Sequence, residues 1–437
     1  MSDERAVQTV SRALDGSLTA PPSKSITQRA LVAAALAAGR SRLRRPLLAD
    51  DSRRLIEAFG AVGIPVAISG REAEGGPAIE IEGQAGAIPA PAATIDAGNA
   101  GTTMRFLTAV LATGRGSYLI DGDARMRQRP IDDLLETLRA LGASAESVHA
   151  DGFPPVRVGG RGLLGGAARL AGSRSSQYLS AILLAAPLAS SGVRIDIEGD
   201  LVSRPYVDLT IGVMARFGVE VGLDPPGARP RRFSVERGQG YRALDLTIEG
   251  DYSSASYFFA AAAVTGGRVR VNGLDPGSLQ GDARFLDLLR EMGCGVKSGD
   301  AFVAVEGTSD LRGIDADLRA MPDVAPTLAV VALFASGPTR IRGVPHLRLK
   351  ETDRIQALVT EIGRLGGEAT AEPDGLAVNP RPLRGARVET YEDHRMAMAF
   401  AIAGLRVPGV VIRNPGCVSK SFPAFWDLLE GLVTRRT

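Results

Sequence analysis

One arrangement recurs six times along the 437 residues: a cluster of Ser, Asn, Asp or Gly, an Ala/Leu-rich helix, a glycine, a short β-type strand and a second, amphipathic helix. The clusters begin near Ser23, Asn99, Ser175, Asp251, Asp323 and Asp393, at intervals of 76, 76, 76, 72 and 70 residues. Such regular spacing restricts the chain to copies of one α/β unit. Six units exceed what a single core holds, so a division of three plus three into two domains is expected. An open solenoid of six is the competing arrangement, but the helices lack the leucine-rich or paired-helix signatures of common arrays.

The first helix of each unit is apolar nearly all round, as in Arg29-Ala-Leu-Val-Ala-Ala-Ala-Leu and Met396-Ala-Met-Ala-Phe-Ala-Ile-Ala, and should therefore be buried. The strands that follow open on Gly and are rich in β-branched residues, as in Gly192-Val-Arg-Ile-Asp-Ile and Gly267-Arg-Val-Arg-Val-Asn. Second helices such as Ile131 to Gly142, Phe285 to Gly293 and Ile355 to Gly363 keep a polar face and stop at Gly, which places them nearer solvent.

Composition narrows the chemistry. The chain has four lysines against 47 arginines, and Lys24, Lys350 and Lys420 all fall in its densest polar clusters, whereas Lys297 lies in a bland stretch and reads as a surface residue. Where positive charge suffices, arginine serves; a retained lysine points to a compact ammonium that can release a proton. A net charge of +2 is near neutral for this length, so nothing calls for nucleic acid or a membrane surface. Cys294 and Cys417 lack any metal-ligand or disulfide spacing. With no apolar targeting segment at the start and no long apolar run, a cytoplasmic protein is expected.

Helix starts carry unpaired N–H groups and the positive end of a dipole, so polar clusters placed there suit phosphate and carboxylate. Ordinary capping accounts for Ser23 but not for Lys24, Ser25, Thr27 and Arg29 crowded behind it. Asn99-Ala-Gly101 and Ser175-Ser176-Gln177 open two further helices, and Gly101 lets a ligand approach the backbone. Arg125, Arg127 and Arg129 precede Pro130, an expected first helical residue. Lys350 and Arg354 read as i and i+4 neighbours on one helical face with Glu351 beside them. Asp393-His394-Arg395 heads a buried helix, where polar groups must be satisfied. Asp323 reads either as a helix cap or as a carboxylate general base. Many cations around two carboxylates imply small, multiply anionic substrates.

The strings Ser23-Lys-Ser, Gly98-Asn-Ala-Gly-Thr, Arg129-Pro, Ser175-Ser-Gln, Ser203-Arg-Pro-Tyr206, Gly250-Asp-Tyr-Ser-Ser-Ala-Ser256, Pro322-Asp323, Lys350-Glu-Thr-Asp-Arg354, Asp393-His-Arg-Met-Ala-Met398 and Lys420-Ser-Phe-Pro423 resemble, in order and over essentially the whole chain, the 5-enolpyruvylshikimate-3-phosphate synthase family of enolpyruvyl transferases. The resemblance implies a two-domain α/β fold of six βαβαββ-type units with buried helices. It places residues 22–249 in one domain and residues 1–21 with 250–437 in the other, with the active site in the cleft between them. It implies a shikimate-pathway enzyme that moves the enolpyruvyl group of phosphoenolpyruvate onto the 5-hydroxyl of shikimate 3-phosphate, as a monomer without metal or organic cofactor.

By the same resemblance, Lys24, Ser25, Arg29, Ser175, Ser176, Gln177, Ser203, Tyr206, Asp323, His346 and Lys350 would bind shikimate 3-phosphate. Lys24, Asn99, Gly101, Arg129, Gln177, Arg354, Arg395 and Lys420 would surround phosphoenolpyruvate. Asp323 would act as base toward the attacking hydroxyl, and Glu351 and Lys24 would handle protons at the methylene carbon and the departing phosphate. The chain departs from the family pattern at His346, commonly Asn, at Phe106, often Pro, and at Arg204 and Gly416, often Lys. The nearest rival function, enolpyruvyl transfer to UDP-N-acetylglucosamine, typically uses a loop cysteine as acid, and neither cysteine here lies in such a loop. A non-catalytic anion or RNA-end binding protein would leave Asp323 and Glu351 among the cations unexplained.

Overall fold

A computed structural model describes residues 3–70, 76–227 and 229–434. The chain separates into two compact units, one from Pro22 to Ile248 and one combining the residues up to Pro21 with those from Glu249 onward.

In the first unit, the middle repeat shows the local logic. Strand Ala92–Asp96 leads into the inner helix Gly101–Leu111, and strand Ser117–Asp121 returns parallel to it with Ala92 opposite Ser117. The outer helix Asp132–Ala140 follows, and Ser144–Ser147 and Val156–Gly159 then add as an antiparallel pair. A β-α-β crossover plus a hairpin thus yields a four-stranded sheet for each repeat of this unit. The first repeat lacks a leading strand of its own: Asp245–Thr247, the last strand of the unit, pairs parallel with Arg42–Arg44 and completes that sheet.

The second unit is completed from the other end of the chain. Asp15–Thr19 pairs parallel with Arg268–Asn272, and Glu4–Ala6 pairs antiparallel with Val411–Arg413. These strands bind the residues before Pro21 to this unit despite their distance in sequence.

Each unit has its own apolar core, built around three inner helices: Lys24–Leu36, Gly101–Leu111 and Ser176–Ala185 in one, Tyr252–Thr265, Ala325–Ala332 and His394–Gly404 in the other. Every residue of Gly101–Leu111 and of His394–Gly404 is buried, as all-round apolarity requires. A fully buried Leu or Phe contributes roughly 1.5–3 kcal/mol. Outer helices are amphipathic: Arg354–Arg364 buries Ile355, Leu358 and Ile362 and turns Gln356 to solvent. Among the described residues, no helix is long and apolar enough to cross a membrane.

Three sequence expectations require correction. Lys350 and Arg354 do not share a helical face: Lys350 ends the 3-10 turn Pro345–Leu349 in extended backbone, and the helix starts only at Arg354. Asp353 sets that start, because its carboxylate accepts the Gln356 N–H at 3.0 Å as an N-cap. Asp323 does not cap the fifth inner helix, Ala325–Ala332, because it lies in the 3-10 turn Pro322–Val324 that leads into it. Asn99 lies outside its helix, which begins at Gly101.

Candidate functional site

The inner helices of the first unit start with polar groups bound to one another. Ser23 caps the first helix and accepts the Ile26 N–H, while the Lys24 ammonium lies 3.1 Å from Oδ2 of Asp51. Asp51 is buried, and its carbonyl accepts the Thr103 hydroxyl at 3.2 Å, which ties the first helix head to the second. Arg29 is also buried; it donates to the Ser25 and Tyr206 carbonyls at 2.9 and 3.0 Å and to the Thr210 hydroxyl at 2.7 Å. Burial pushes its pKa down to about 10, against a smaller opposing effect of Tyr206, so it stays charged at neutral pH.

Arg129 donates to the Asn99 carbonyl and amide oxygens at 3.4 and 3.3 Å. Arg105 donates to Gln177 Oε1 at 2.9 Å and sits over the Tyr178 ring. Gly101 lies against both arginines: a Cβ there would stand 2.5 Å from Arg105 Nη1 and 2.6 Å from Arg129 Nη2. Only glycine lets the two guanidinium groups approach the helix head so closely. Ser175 caps its helix by accepting the Gln177 N–H at 3.2 Å, and Ser176 is buried behind it. Ser203 is held at φ 53°, a left-handed conformation that costs a non-glycine residue on the order of 1–3 kcal/mol and clusters at ligand sites. The Tyr206 N–H donates to its carbonyl at 3.1 Å, and the Val202 N–H donates to Gly172, so Ser203 stands next to the strand end that leads to Ser175.

In the second unit, one ion-pair network joins three helix heads. Arg354, 1 % exposed, donates to Asp393 at 2.7 Å, to Glu351 at 2.8 Å and to Asp323 at 3.4 Å. Burial opposes its charge, but Asp393, Glu351 and Asp323 together outweigh that and raise its pKa above the ordinary arginine value. Arg395 donates to the other Asp323 oxygen at 2.6 Å and reaches the Tyr257 hydroxyl at 3.5 Å. Asp393 has a second task, capping the last inner helix by accepting the Arg395 N–H at 2.9 Å. Lys420 Nζ stands 3.9 Å from Glu351 Oε1. Asp323 therefore bridges two guanidinium groups rather than capping a helix, and Glu351 lies between a guanidinium and an ammonium. His346 is buried, and burial first, with the nearby Lys350 charge second, pushes its pKa down to about 3, so the ring is neutral.

The sequence-derived candidates thus fall into two groups. Lys24, Ser25, Arg29, Asn99, Gly101, Arg129, Ser175, Ser176, Gln177, Ser203 and Tyr206 belong to the first unit, and Asp323, His346, Lys350, Glu351, Arg354, Arg395 and Lys420 to the second. Four participants escaped the sequence reading. Asp51 lies in the first turn of the helix Asp50–Ala61, and Arg105 and Tyr257 lie within apolar inner helices. Asp282, buried on its 3-10 turn and bonded to Ser253, has its pKa raised by burial and then by the Asp323 charge. No periodicity or motif marked any of them, since each acts through partners distant in sequence.

An addition of a hydroxyl to a small anionic substrate fits this inventory: cations to hold phosphate and carboxylate, and carboxylates and an ammonium to carry protons. The family model for EPSP synthase (3-phosphoshikimate 1-carboxyvinyltransferase) matches residues 8–429. A 3-phosphoshikimate 1-carboxyvinyltransferase of Methanoculleus marisnigri is 46% identical over 422 residues, 96% of this chain and 97% of that protein. One of Nostoc punctiforme is 45% identical over 432 residues, 98% of this chain and 100% of that protein. A solved EPSP synthase from Acinetobacter baumannii aligns at a TM-score of 0.80 and 26% identity, covering 98% of each chain.

Proposed function

The chain belongs to the EPSP synthase family, and from that membership we propose how its two groups of helix-head residues divide the work on a common pair of substrates. The reaction is transfer of the enolpyruvyl group of phosphoenolpyruvate to the 5-hydroxyl of shikimate 3-phosphate, with release of phosphate, in the shikimate pathway. For shikimate 3-phosphate, Ser175, Ser176 and Ser203 of the first group and Lys350 of the second take the phosphate, Ser25 and Arg29 the carboxylate, and Gln177 and Tyr206 the ring. Asn99, Gly101, Arg129, Arg354, Arg395 and Lys420 hold phosphoenolpyruvate. His346, neutral and buried, stands where a neutral hydrogen-bonding side chain suits the acceptor.

The observation that carries this reading is the bridged carboxylate pair. Asp323 is held by Arg354 and Arg395, and Glu351 by Arg354 and Lys420, so each carboxylate is fixed in orientation while its neighbours bring charge for an anion. Asp323 removes the proton of the attacking hydroxyl as it bonds to C2 of phosphoenolpyruvate, while C3 takes a proton. Loss of phosphate from the tetrahedral adduct then returns a proton from the methyl group, with Glu351 and Lys24 as carriers. We also assign the chain to the cytoplasm, as suits a biosynthetic enzyme acting on small polar substrates.

Phosphate release tests the acceptor. Purified protein with phosphoenolpyruvate should release phosphate when shikimate 3-phosphate is added and none when UDP-N-acetylglucosamine is added instead. Release with the sugar nucleotide alone would overturn the assignment.

A further inference from the structure

Glu361 is the one charged residue that the helix Arg354–Arg364 buries at its far end, 0 % exposed, and neither the reaction nor the core explains it. Its carboxylate is committed to the turn that precedes Asp393. Oε1 accepts the Tyr391 hydroxyl at 2.6 Å and Oε2 accepts the Glu389 N–H at 3.0 Å, while Arg364 closes the pair from the solvent side at 3.1 Å. That turn is strained: Tyr391 and Glu392, neither of them glycine, stand at φ 53° and 57° in succession. Such backbone persists only when its surroundings enforce it. Glu361 and Arg354 are seven residues apart, two turns on one helical face. The same helix therefore grips residues 389–393 twice, by Glu361 at one end and by Arg354 on Asp393 at the other.

We infer that Glu361 is a positioning residue for the phosphoenolpyruvate contacts, acting through the Tyr391–Glu392 turn to fix Asp393. Asp393 in turn orients Arg354 by its side chain and caps the helix that carries Arg395. The inference rests on the assignment of those two arginines to phosphoenolpyruvate. Tyr391 is 38% exposed, so its hydroxyl serves the turn rather than the core.

Glu361→Gln, Tyr391→Phe and the double variant test this, with steady-state kinetics beside amide hydrogen exchange. The expected result is a rise of about tenfold in KM for phosphoenolpyruvate in Glu361→Gln, as small misplacements of binding groups produce. Tyr391→Phe should show a smaller rise in the same constant, with KM for shikimate 3-phosphate unchanged in both. The double variant should do no worse than Glu361→Gln alone, because both act on one turn. The Arg395 amide should exchange faster in every variant. Unchanged Arg395 protection, additive losses, or equal rises in both KM values tracking Tm would overturn the clamp. Loss of protection with KM for phosphoenolpyruvate unchanged would instead overturn the assignment of Arg354 and Arg395 to that substrate.

Discussion

Lys24 combines a proton that can leave with a neighbour that holds the ammonium in place, Asp51 at 3.1 Å. Arginine keeps the charge but not the acidity, so Lys24→Arg should bind both substrates within a few-fold while turnover falls by about 10²-fold or more. Steady-state kinetics decides; full turnover in the variant would remove Lys24 from proton transfer. His346 makes a different prediction, about stability. Burial and then Lys350 depress its folded pKa to about 3, below the unfolded value of about 6.5. The unfolded chain therefore takes up the proton first as pH falls, and the stability that the neutral ring contributes above pH 6.5 drains away between about 6.5 and 3. Denaturant melts from pH 7 to 4 should show a steeper acid loss in wild type than in His346→Asn; parallel curves would contradict the buried neutral ring. At this scale the sequence was legible where a residue type was rare or clustered, as with Lys24 and Arg395. It was silent on Asp51, whose role comes from a partner 27 positions away.

The elements were legible because their periodicities are extreme. Helices apolar on every face, such as Gly101–Leu111 and His394–Gly404, have nowhere to go but a core, and three inner helices begin where Ser175, Asp251 and Asp393 supply caps. The expected helical face of Lys350 and Arg354 was wrong because Asp353 caps the helix, which leaves Lys350 in the extended backbone before its start. Element ends are also where the site is built, so a change at one head should act locally. Gly101→Ala sets a methyl group 2.5 to 2.6 Å from Arg105 and Arg129, and both side chains must swing away. We expect KM for phosphoenolpyruvate to rise by about tenfold, with a smaller rise for shikimate 3-phosphate because Arg105 holds Gln177; an unchanged KM for phosphoenolpyruvate would show that Arg129 does not hold that substrate.

Across the whole molecule, six repeats at near-constant spacing made two three-unit domains legible, but the strands that complete the sheets were not. Asp245–Thr247 and Glu4–Ala6 are three residues each and carry no periodic signal; what fixes them is the open edge of a distant sheet. The resulting asymmetry is testable. Residues 22–248 contain every strand of their own sheets, so this fragment should unfold cooperatively on its own and bind shikimate 3-phosphate weakly. A fragment starting at Glu249 lacks Asp15–Thr19 and Glu4–Ala6 and should not fold without them. Calorimetry on both fragments decides, and a cooperative transition in the second alone would reverse the argument. The central claim, that carboxylates fixed among cations move protons to and from the substrate, is tested most directly by mass spectrometry of the product formed in deuterium oxide. Wild type should place deuterium on the methylene carbon of the enolpyruvyl group, and Glu351→Gln should bind both substrates yet give neither labelled product nor phosphate. Labelled product from Glu351→Gln at the wild-type rate would contradict the account.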